Sequence, residues 1–292
     1  MTRDAFKKLT EKGIVLIDGG TGSCLRKRGM PVGVSTEQWA YEHPDVIAGL
    51  QREYADAGSQ IIYAPTFGAN RITLGNMGLA DSLEELNRTL VKRTLENVGD
   101  RVLVAGDLST TGKAMEPYGP MTYAGLMEIY QEQIRILAEA GVDLLVAETL
   151  MSLDEALVIC DAARSVCDLP LIISFTCEGD GTLYFGGTVF EAAAALEAMD
   201  VDAVGVNCSV GPDQLDAVIR SLHETVSVPV VAKPNAGMPL ITETGEAVYS
   251  MGEADFTRHV LHLAECGAAI IGGCCGTTPD YIRDIKKSLS YE

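Results

Sequence analysis

The apolar run Leu144-Leu145-Val146-Ala147 ends in the polar pair Glu148-Thr149, and seven other segments of the chain have the same form. These segments are rich in Val, Ile, Leu and Ala and do not alternate between polar and apolar residues, which is typical of strands buried on both faces of a parallel sheet. The sequence therefore predicts eight strands. They span residues 14–18, 60–66, 102–108, 144–149, 171–177, 203–208, 229–233 and 269–273.

Segments with the periodicity of amphipathic helices separate these strands. Ser152 and Glu155 predict a capping box at the start of one of them. Eight strands alternating with eight helices predict a (β/α)8 TIM barrel that forms a single domain over residues 1–292. A doubly wound open sheet is the alternative, but the sequence shows no topological switch point. The predicted helices span residues 45–57, 81–97, 123–140, 152–166, 189–199, 212–226, 253–265 and 279–289.

The composition excludes several classes of function. With 22 basic and 41 acidic residues the formal net charge is −19, which repels phosphate backbones, so we expect no nucleic-acid partner. No apolar run reaches the roughly 18 residues of a membrane-spanning helix, and no signal-like stretch opens the chain. We therefore expect a cytoplasmic protein without a membrane partner, with its eight cysteines mostly reduced. Cys160, Cys167 and Cys266 are interpreted as small buried hydrophobes, whereas Cys24 and Cys177 stay unassigned.

Polar and sulfur-containing residues collect where the predicted strands end, and a barrel builds its active site at those carboxyl ends. Long Gly- and Pro-rich segments, 109–121 and 234–252, follow strands three and seven and should lie over the barrel mouth. The polar strand ends are Asp18-Gly19-Gly20, Glu148-Thr149, Asn207-Cys208-Ser209, Lys233-Pro234-Asn235-Ala236-Gly237 and Gly272-Gly273-Cys274-Cys275-Gly276-Thr277.

Cys274 and Cys275 are adjacent at the predicted end of strand eight. Both cannot be core residues of a regular strand, since successive side chains point to opposite faces, but the flanking glycines allow a turn that brings both sulfurs to one side. Cys208 lies two strands away, near enough in a closed barrel to join them. Three thiolates with one exchangeable position form a catalytic zinc arrangement. A disulfide and unrelated buried thiols are the alternatives. The four histidines fall in or beside predicted helices and are not interpreted as ligands.

Asp18 and Glu148 are carboxylates at strand ends on the same face as the cysteines. Together they could hold a cationic amine, and the backbone N–H groups of Gly19 and Gly20 could receive a carboxylate. A zwitterionic amino acid would suit this set.

These residues resemble the homocysteine S-methyltransferase family, and the resemblance runs from about Gly13 to Leu289. Within that family the sequence is similar to the N-terminal homocysteine module of cobalamin-dependent methionine synthase. The motifs that carry the resemblance are Asp18-Gly19-Gly20, Thr66-Phe67-Gly68-Ala69-Asn70, Asn207-Cys208-Ser209, Pro234-Asn235-Ala236-Gly237 and Gly272-Gly273-Cys274-Cys275-Gly276-Thr277.

The resemblance implies a set of ligands and substrate contacts. Zinc would be held by Cys208, Cys274 and Cys275, and homocysteine by Asp18, Gly19 and Glu148. Asn235 would approach the zinc when substrate is absent. The chain departs from the family at residues 107–112, which replace its usual Gly-Pro before Thr-Gly, and this leaves the shape of one mouth loop open.

The mechanism expected from these residues is activation of homocysteine as a zinc-bound thiolate that attacks a methyl group. We expect the donor to be a methylcorrinoid, because the resemblance is to a synthase module whose donor is a corrinoid. The corrinoid would be carried by a separate protein, since the chain ends at Glu292 without the other modules of the synthase. S-methylmethionine or S-adenosylmethionine is the alternative donor. Betaine is disfavoured, since Ser35 and Gly68 stand where betaine enzymes of the family carry aromatic residues. A zinc hydrolase with Glu148 as base, or a non-catalytic zinc or redox-sensing module, would be a different class of function.

Overall fold

The computed structural model describes residues 1–242 and 247–290, and it forms a barrel of parallel strands surrounded by helices. Eight strands are hydrogen-bonded in the order β1-β10-β7-β6-β5-β4-β3-β2, and a parallel bridge between Ile17 and Ile61 joins the two ends of this sheet. The predicted (β/α)8 TIM barrel is therefore confirmed. The strands are β1 (Val15–Leu16), β2 (Ile61–Tyr63), β3 (Leu103–Leu108), β4 (Leu144–Leu150), β5 (Leu171–Phe175), β6 (Ala203–Asn207), β7 (Val230–Lys233), the hairpin strands β8 (Pro239–Ile241) and β9 (Ala247–Tyr249), and β10 (Ala268–Ile271).

The helices pack around the barrel, and all eight predicted ones are present. A 3-10 turn, Pro212–Gln214, precedes the helix predicted at 212–226, so that helix begins later than expected. Within the described residues, no helix is both long and apolar enough to cross a membrane. The helices are α1 (Arg3–Thr10), α2 (Thr21–Lys27), α3 (Thr36–Glu42), α4 (Pro44–Ala57), α5 (Arg71–Asn76), α6 (Leu83–Val98), α7 (Tyr123–Ala140), α8 (Leu153–Val166), α9 (Val189–Ala198), α10 (Asp216–Thr225), α11 (Glu253–Glu265) and α12 (Pro279–Leu289).

Four short helices, α1, α2, α3 and α5, were not predicted. Three of them begin at a side-chain cap, supplied by Thr2, Ser35 and Asn70. A helix of about two turns has too few apolar positions to show a periodicity, so the cap is the main signal that it leaves in the sequence.

The capping box predicted at Ser152 forms only in part. The Ser152 hydroxyl accepts a hydrogen bond from the Glu155 N–H at 3.4 Å, but the Glu155 carboxylate does not return to the cap. It accepts bonds instead from the Thr110 hydroxyl at 2.7 Å, the Thr111 N–H at 2.9 Å and the Tyr130 hydroxyl at 2.7 Å. Glu155 therefore anchors the loop that follows β3 to α7 and α8, which is the loop where the sequence departs from its family.

Side chains that point into the barrel form a core of their own, separate from the larger core between the strands and the helices. Because side chains alternate along a strand, the residue two positions beyond an inward-facing apolar residue also points inward. This alternation makes the interior apolar at its base and ionisable at the carboxyl ends of the strands. The pairs are Ala105 and Asp107 on β3, Val146 and Glu148 on β4, and Val231 and Lys233 on β7.

Helix α1 closes the amino-terminal end of the barrel. Its Phe6 is 1% exposed and belongs to the same cluster as Val15, Ile61 and Ile270 of the barrel interior. The interior is therefore filled from this end, and the ionisable layer is reached from the carboxyl ends of the strands.

Candidate active site

A cavity of about 250 Å³ lies at the carboxyl ends of the barrel strands. Seven residues were singled out in the sequence as site residues. One of them, Asn235, does not line the cavity, although its side chain is buried close to the lining. The other six do line it, namely Asp18, Gly19, Glu148, Cys208, Cys274 and Cys275.

The three cysteines form one cluster at the cavity wall. The sulfurs of Cys208, Cys274 and Cys275 lie within 4.8 Å of one another, and those of Cys208 and Cys275 are 3.6 Å apart. All eight cysteines are free, so the structure has no disulfide between the adjacent pair. Cys208 follows β6 with a φ of 49°, a left-handed conformation that is uncommon for a residue other than glycine and concentrates at functional sites.

A tight turn after β10 brings the adjacent thiols to one side, as their glycine neighbours predicted. Gly276 has a φ of 86°, which suits a residue without a Cβ. The Thr277 N–H donates to the Cys274 carbonyl at 3.2 Å and closes the turn. Without this turn, the pleat of a strand would send one of the two sulfurs away from the cavity.

Asn235 connects the two loops that carry the cysteines. Its side-chain oxygen accepts a hydrogen bond from the Cys275 N–H at 3.1 Å, and its side-chain nitrogen donates to the Ser209 carbonyl at 3.1 Å. Both ends of the amide are thus engaged with backbone groups next to ligand positions. In this structure Asn235 fixes the loop of Cys208 and the loop of Cys275 relative to each other.

The thiol cluster fits a zinc ion. Zinc–sulfur distances near 2.3 Å and tetrahedral angles imply sulfurs about 3.8 Å apart, close to the 3.6 Å between Cys208 and Cys275. Hydrogen bonds from Cys208 and Cys274 lower the pKa of Cys275, which favours the thiolate, the form that binds metal. Across the described part of the chain, this is the one group of three or more His, Cys, Asp and Glu ligand atoms close enough to share an ion.

A buried ion pair lies next to the thiols. The Lys233 Nζ donates to Glu148 Oε2 at 3.0 Å and lies 4.6 Å from the centre of the Tyr63 ring. Burial lowers the pKa of Lys233, but the charge of Glu148 and of nearby acidic groups outweighs burial and raises that pKa well above its usual value. Lys233 is therefore a cation at neutral pH, and it offsets the charge of Glu148.

Two carboxyl groups in the cavity have oxygens without a hydrogen-bond donor among the described residues. Asp18 Oδ2 accepts from the Tyr63 N–H at 2.8 Å, but Asp18 Oδ1 and Asp107 Oδ1 are buried and unpartnered. Burial raises the pKa of Asp18 to about 7, and burial also raises the pKa of Asp107 well above its usual value. Two carboxyl oxygens beside the cavity are therefore buried without a donor among the described residues.

The glycine pair after β1 is required for close packing. A Cβ on Gly19 would lie 2.6 Å from the Tyr54 hydroxyl, and one on Gly20 would lie 2.4 Å from the Cys274 carbonyl oxygen. The Gly20 N–H already donates to the Thr277 hydroxyl at 3.1 Å, so it is not available to a substrate carboxylate as the sequence suggested. Of the two glycines, Gly19 therefore remains the predicted contact for a substrate carboxylate.

Part of the segment at 234–252, predicted to cover the mouth, reaches the thiols. Tyr249 of β9 packs its ring on the turn at Gly276, where a Cβ would lie 2.4 Å from the ring. Its hydroxyl is close enough to Cys275 to contribute to the low pKa of that thiol. The hairpin β8–β9 is thus tied to the cysteine cluster at one end, while Leu240 and Ile241 are exposed.

Lys233 and Asp107 also line the cavity, and neither was assigned a role from the sequence. The strand alternation could have found them, since each lies two positions beyond an apolar residue of the barrel interior. What the sequence could not give is the pairing of Lys233 with Glu148 across the barrel, because residues 148 and 233 are distant in the chain.

Fold and site together define a (β/α)8 barrel with three thiols and a buried layer of carboxylates around one cavity. Residues 15–289 match the family model described as homocysteine S-methyltransferase, so the chain belongs to the homocysteine S-methyltransferase family. The resemblance noted in the sequence is thus confirmed at the level of the family.

Two relatives show how the chain compares with proteins of different length. It is 30% identical over 259 residues to "Methionine synthase" of Mycobacterium leprae (strain TN), which covers 85% of this chain and 21% of that protein. It is 30% identical over 307 residues to "Homocysteine S-methyltransferase 4" of Zea mays, which covers 95% of this chain and 90% of the relative. The chain thus spans about a fifth of the methionine synthase and most of the plant protein.

A solved structure has the same fold. The metallated form of the homocysteine methyltransferase MmuM from Escherichia coli superposes with a TM-score of 0.77 at 22% identity, covering 96% of this chain and 98% of that one.

Proposed function

We propose that this chain is a zinc-dependent methyltransferase that converts homocysteine to methionine with a methyl group taken from a corrinoid on a separate protein. The observation that carries the proposal is the cluster of Cys208, Cys274 and Cys275 at the wall of a small cavity that also contains buried carboxylates.

The three thiols would hold the zinc and leave one coordination position open. When bound, zinc lowers the pKa of a coordinating thiol, so that homocysteine is presented as a nucleophile at neutral pH. Asn235 keeps two of the ligand loops together through its bonds to Cys275 and Ser209. The free state of all eight cysteines agrees with a reducing compartment, and we expect the protein to work in the cytoplasm.

The remaining cavity residues would orient the substrate. A volume of about 250 Å³ suits a small metabolite, and the carboxylates of Asp18 and Glu148 would attract its ammonium while Gly19 contacts its carboxylate. Fixing both ends of the amino acid would point its sulfur at the thiol cluster, and such positioning accounts for much of the rate of a bimolecular step. Glu148 is paired with Lys233, which does not suit the general base that a zinc hydrolase needs.

Two observations support a large donor. The methionine synthase relative aligns with 85% of this chain. Exposed apolar side chains also lie beyond the ends of the barrel strands, on loops and on the hairpin strand β8, namely Phe67 (38% exposed), Phe185 (72%), Leu240 (62%) and Ile241 (68%). Such an apolar rim is typical of a surface that receives a partner. A transient contact of small area is expected, because the corrinoid must leave to be methylated again.

The cavity does not suit betaine. A quaternary ammonium is usually held by several aromatic faces. The aromatic residues lining this cavity are Tyr63 and Phe67, and the Tyr63 ring already has the Lys233 ammonium above it. Ser35 and Gly68 are both hydrogen-bonded to the Glu37 carboxylate, which lines the cavity at that position.

The donor can be identified by measuring methionine formed from homocysteine by the zinc-loaded protein. We expect turnover with methylcobalamin and little with S-methylmethionine or S-adenosylmethionine. The Cys208→Ala variant, run with each donor, supplies the background. Fast turnover with a sulfonium donor and none with methylcobalamin would replace the corrinoid proposal by the sulfonium alternative, which a relative of nearly equal length such as the Zea mays protein keeps open.

A further inference from the structure

Two strand ends at the cavity contain a residue other than glycine in the left-handed conformation. Thr149, near the end of β4, has a φ of 61°, and Cys208, directly after β6, has a φ of 49°. A positive φ costs free energy for any residue with a Cβ, and it is most unusual for a β-branched residue such as threonine. Backbone strain of this kind persists only where the surrounding contacts hold it in place.

Each of these residues interrupts the alternation of side chains along its strand. On β6, Val206 belongs to the core between strands and helices, so a regular strand would also point Cys208 outward, yet Cys208 lines the cavity. On β4, Ala147 belongs to that outer core, and Thr149 nevertheless lines the cavity. The pairing of β4 with β5 shifts register between Ala147 and Leu150. The two left-handed residues therefore bring Thr149 and Cys208 to the cavity.

The carboxamide of Asn207 connects these two strand ends. Its Oδ1 accepts a hydrogen bond from the Thr149 N–H at 2.8 Å, and its Nδ2 donates to the Thr149 hydroxyl at 2.7 Å. The Ser174 hydroxyl of β5 donates to the same Oδ1 at 2.8 Å. Asn207 is fully buried and directly precedes Cys208. One side chain thus joins the carboxyl ends of β4, β5 and β6.

The backbone of Cys208 is held by two further bonds. Its N–H donates to the Lys233 carbonyl at 3.2 Å, and its carbonyl accepts from the Thr176 hydroxyl at 3.1 Å. The turn at Cys208 is therefore fixed by β7 and the end of β5 directly, and by β4 through the Asn207 side chain. Groups that orient a metal ligand from behind matter for binding, and their loss typically lowers metal affinity by about 10- to 100-fold.

We propose that Asn207 is a positioning residue of the thiol site. Its carboxamide couples the left-handed conformation of Thr149 to that of Cys208, and so keeps the Cys208 sulfur turned toward the other two thiols. The inference rests on the proposed function, since it takes the three thiols to bind zinc. It differs from the role of Asn235, which joins the loop of Cys208 to that of Cys275, because Asn207 joins it to β4 and β5.

The test measures the zinc dissociation constant of the full chain by competition with a chelator. In Asn207→Ala we expect zinc to bind at least about tenfold more weakly, as for loss of a group that orients a metal ligand. The same change in a Thr149→Gly background should cost less affinity, because glycine keeps a positive φ without a bond to hold it. A smaller effect in that background shows that Asn207 acts through Thr149.

A milder variant covers the case in which Asn207→Ala does not fold. Thr149→Val keeps the shape of the side chain and the N–H bond to Asn207, but it removes the acceptor of Asn207 Nδ2. Zinc affinity should fall in the same direction by a smaller factor. Unchanged zinc affinity in Thr149→Val would count against the inference.

The matched control is Asn87→Ala. Asn87 on α6 is equally buried, and its Nδ2 donates to the carbonyls of Ala69 and Leu83 at 2.8 and 2.9 Å. Neither of these partners lines the cavity. The control should lower the urea midpoint of unfolding, as Asn207→Ala does, but should leave the zinc dissociation constant unchanged. The comparison separates a loss of stability from a loss of ligand position.

The outcomes separate this inference from the proposed function. The inference is overturned if Asn207→Ala binds zinc as tightly as the wild type, if Asn87→Ala weakens zinc binding equally, or if Asn207→Ala costs the same affinity in both backgrounds. In each of these cases the wild type still binds zinc, and the proposed function stands. If the wild type binds no zinc, the proposed function itself is wrong.

Discussion

Replacing Cys208, Cys274 or Cys275 with alanine is expected to remove zinc from the protein and to abolish methylation of homocysteine. Each change leaves two of the three sulfurs that lie within 4.8 Å of one another, which is too few for a stable site. Metal-ion catalysis is worth several kcal/mol, so activity should fall at least about a thousandfold. Elemental analysis and methionine formation measure the two effects, and treatment with a chelator should reproduce them in the wild type.

Cys167→Ala is the matched control for these three variants. Cys167 is a free, half-buried cysteine at the end of α8 and lies outside the cluster. The Cys167→Ala variant should keep one zinc per chain and should keep its activity. Full zinc occupancy in any of the three cluster variants would remove that cysteine from the ligand set.

The Lys233→Met variant is expected to lose about 3–5 kcal/mol of unfolding free energy at neutral pH, the usual cost of breaking a buried ion pair from one side. Methionine fills the space of the lysine side chain but leaves the Glu148 carboxylate buried without its cation. The double variant with Glu148→Gln should recover most of the loss, because no unpaired charge remains. Urea denaturation of the wild type and the two variants gives the three values.

The stability of Lys233→Met should also depend on pH. Burial already raises the pKa of Glu148, and Lys233 opposes that rise. Without the lysine, the pKa in the folded protein moves further above the value of about 4.3 in the unfolded chain. Between those two values the folded state binds more protons, so stability falls as pH rises. The loss should therefore be smaller at pH 5 than at pH 8. An equal loss at both pH values would mean that Glu148 does not carry the effect.

The barrel could be predicted because its signal is repeated. Each buried strand must be apolar on both faces, so eight apolar runs mark the sheet. The thiol cluster was also predictable, since adjacent cysteines at a strand end are hard to reconcile with a regular strand. The hydrogen-bond partner of an individual side chain could not be predicted from the sequence. Glu155 looked like half of a capping box, yet its carboxylate binds Thr110, Thr111 and Tyr130. Which groups Glu155 binds depends on the three-dimensional position of a loop, and no local sequence pattern predicts that position.

Phe6 fills the base of the barrel, and the cavity lies at the opposite end, at the carboxyl ends of the strands, which under the proposed function has a consequence for the order of the reaction. In the proposed reaction, homocysteine and the methyl donor would both use the opening at the strand ends, with the amino acid next to the thiols. A donor protein seated on the apolar rim covers that opening, so homocysteine must enter before the donor arrives. Methionine can leave only after the donor has departed. The kinetics are then compulsorily ordered, with the amino acid as the first substrate to bind and the last product to dissociate.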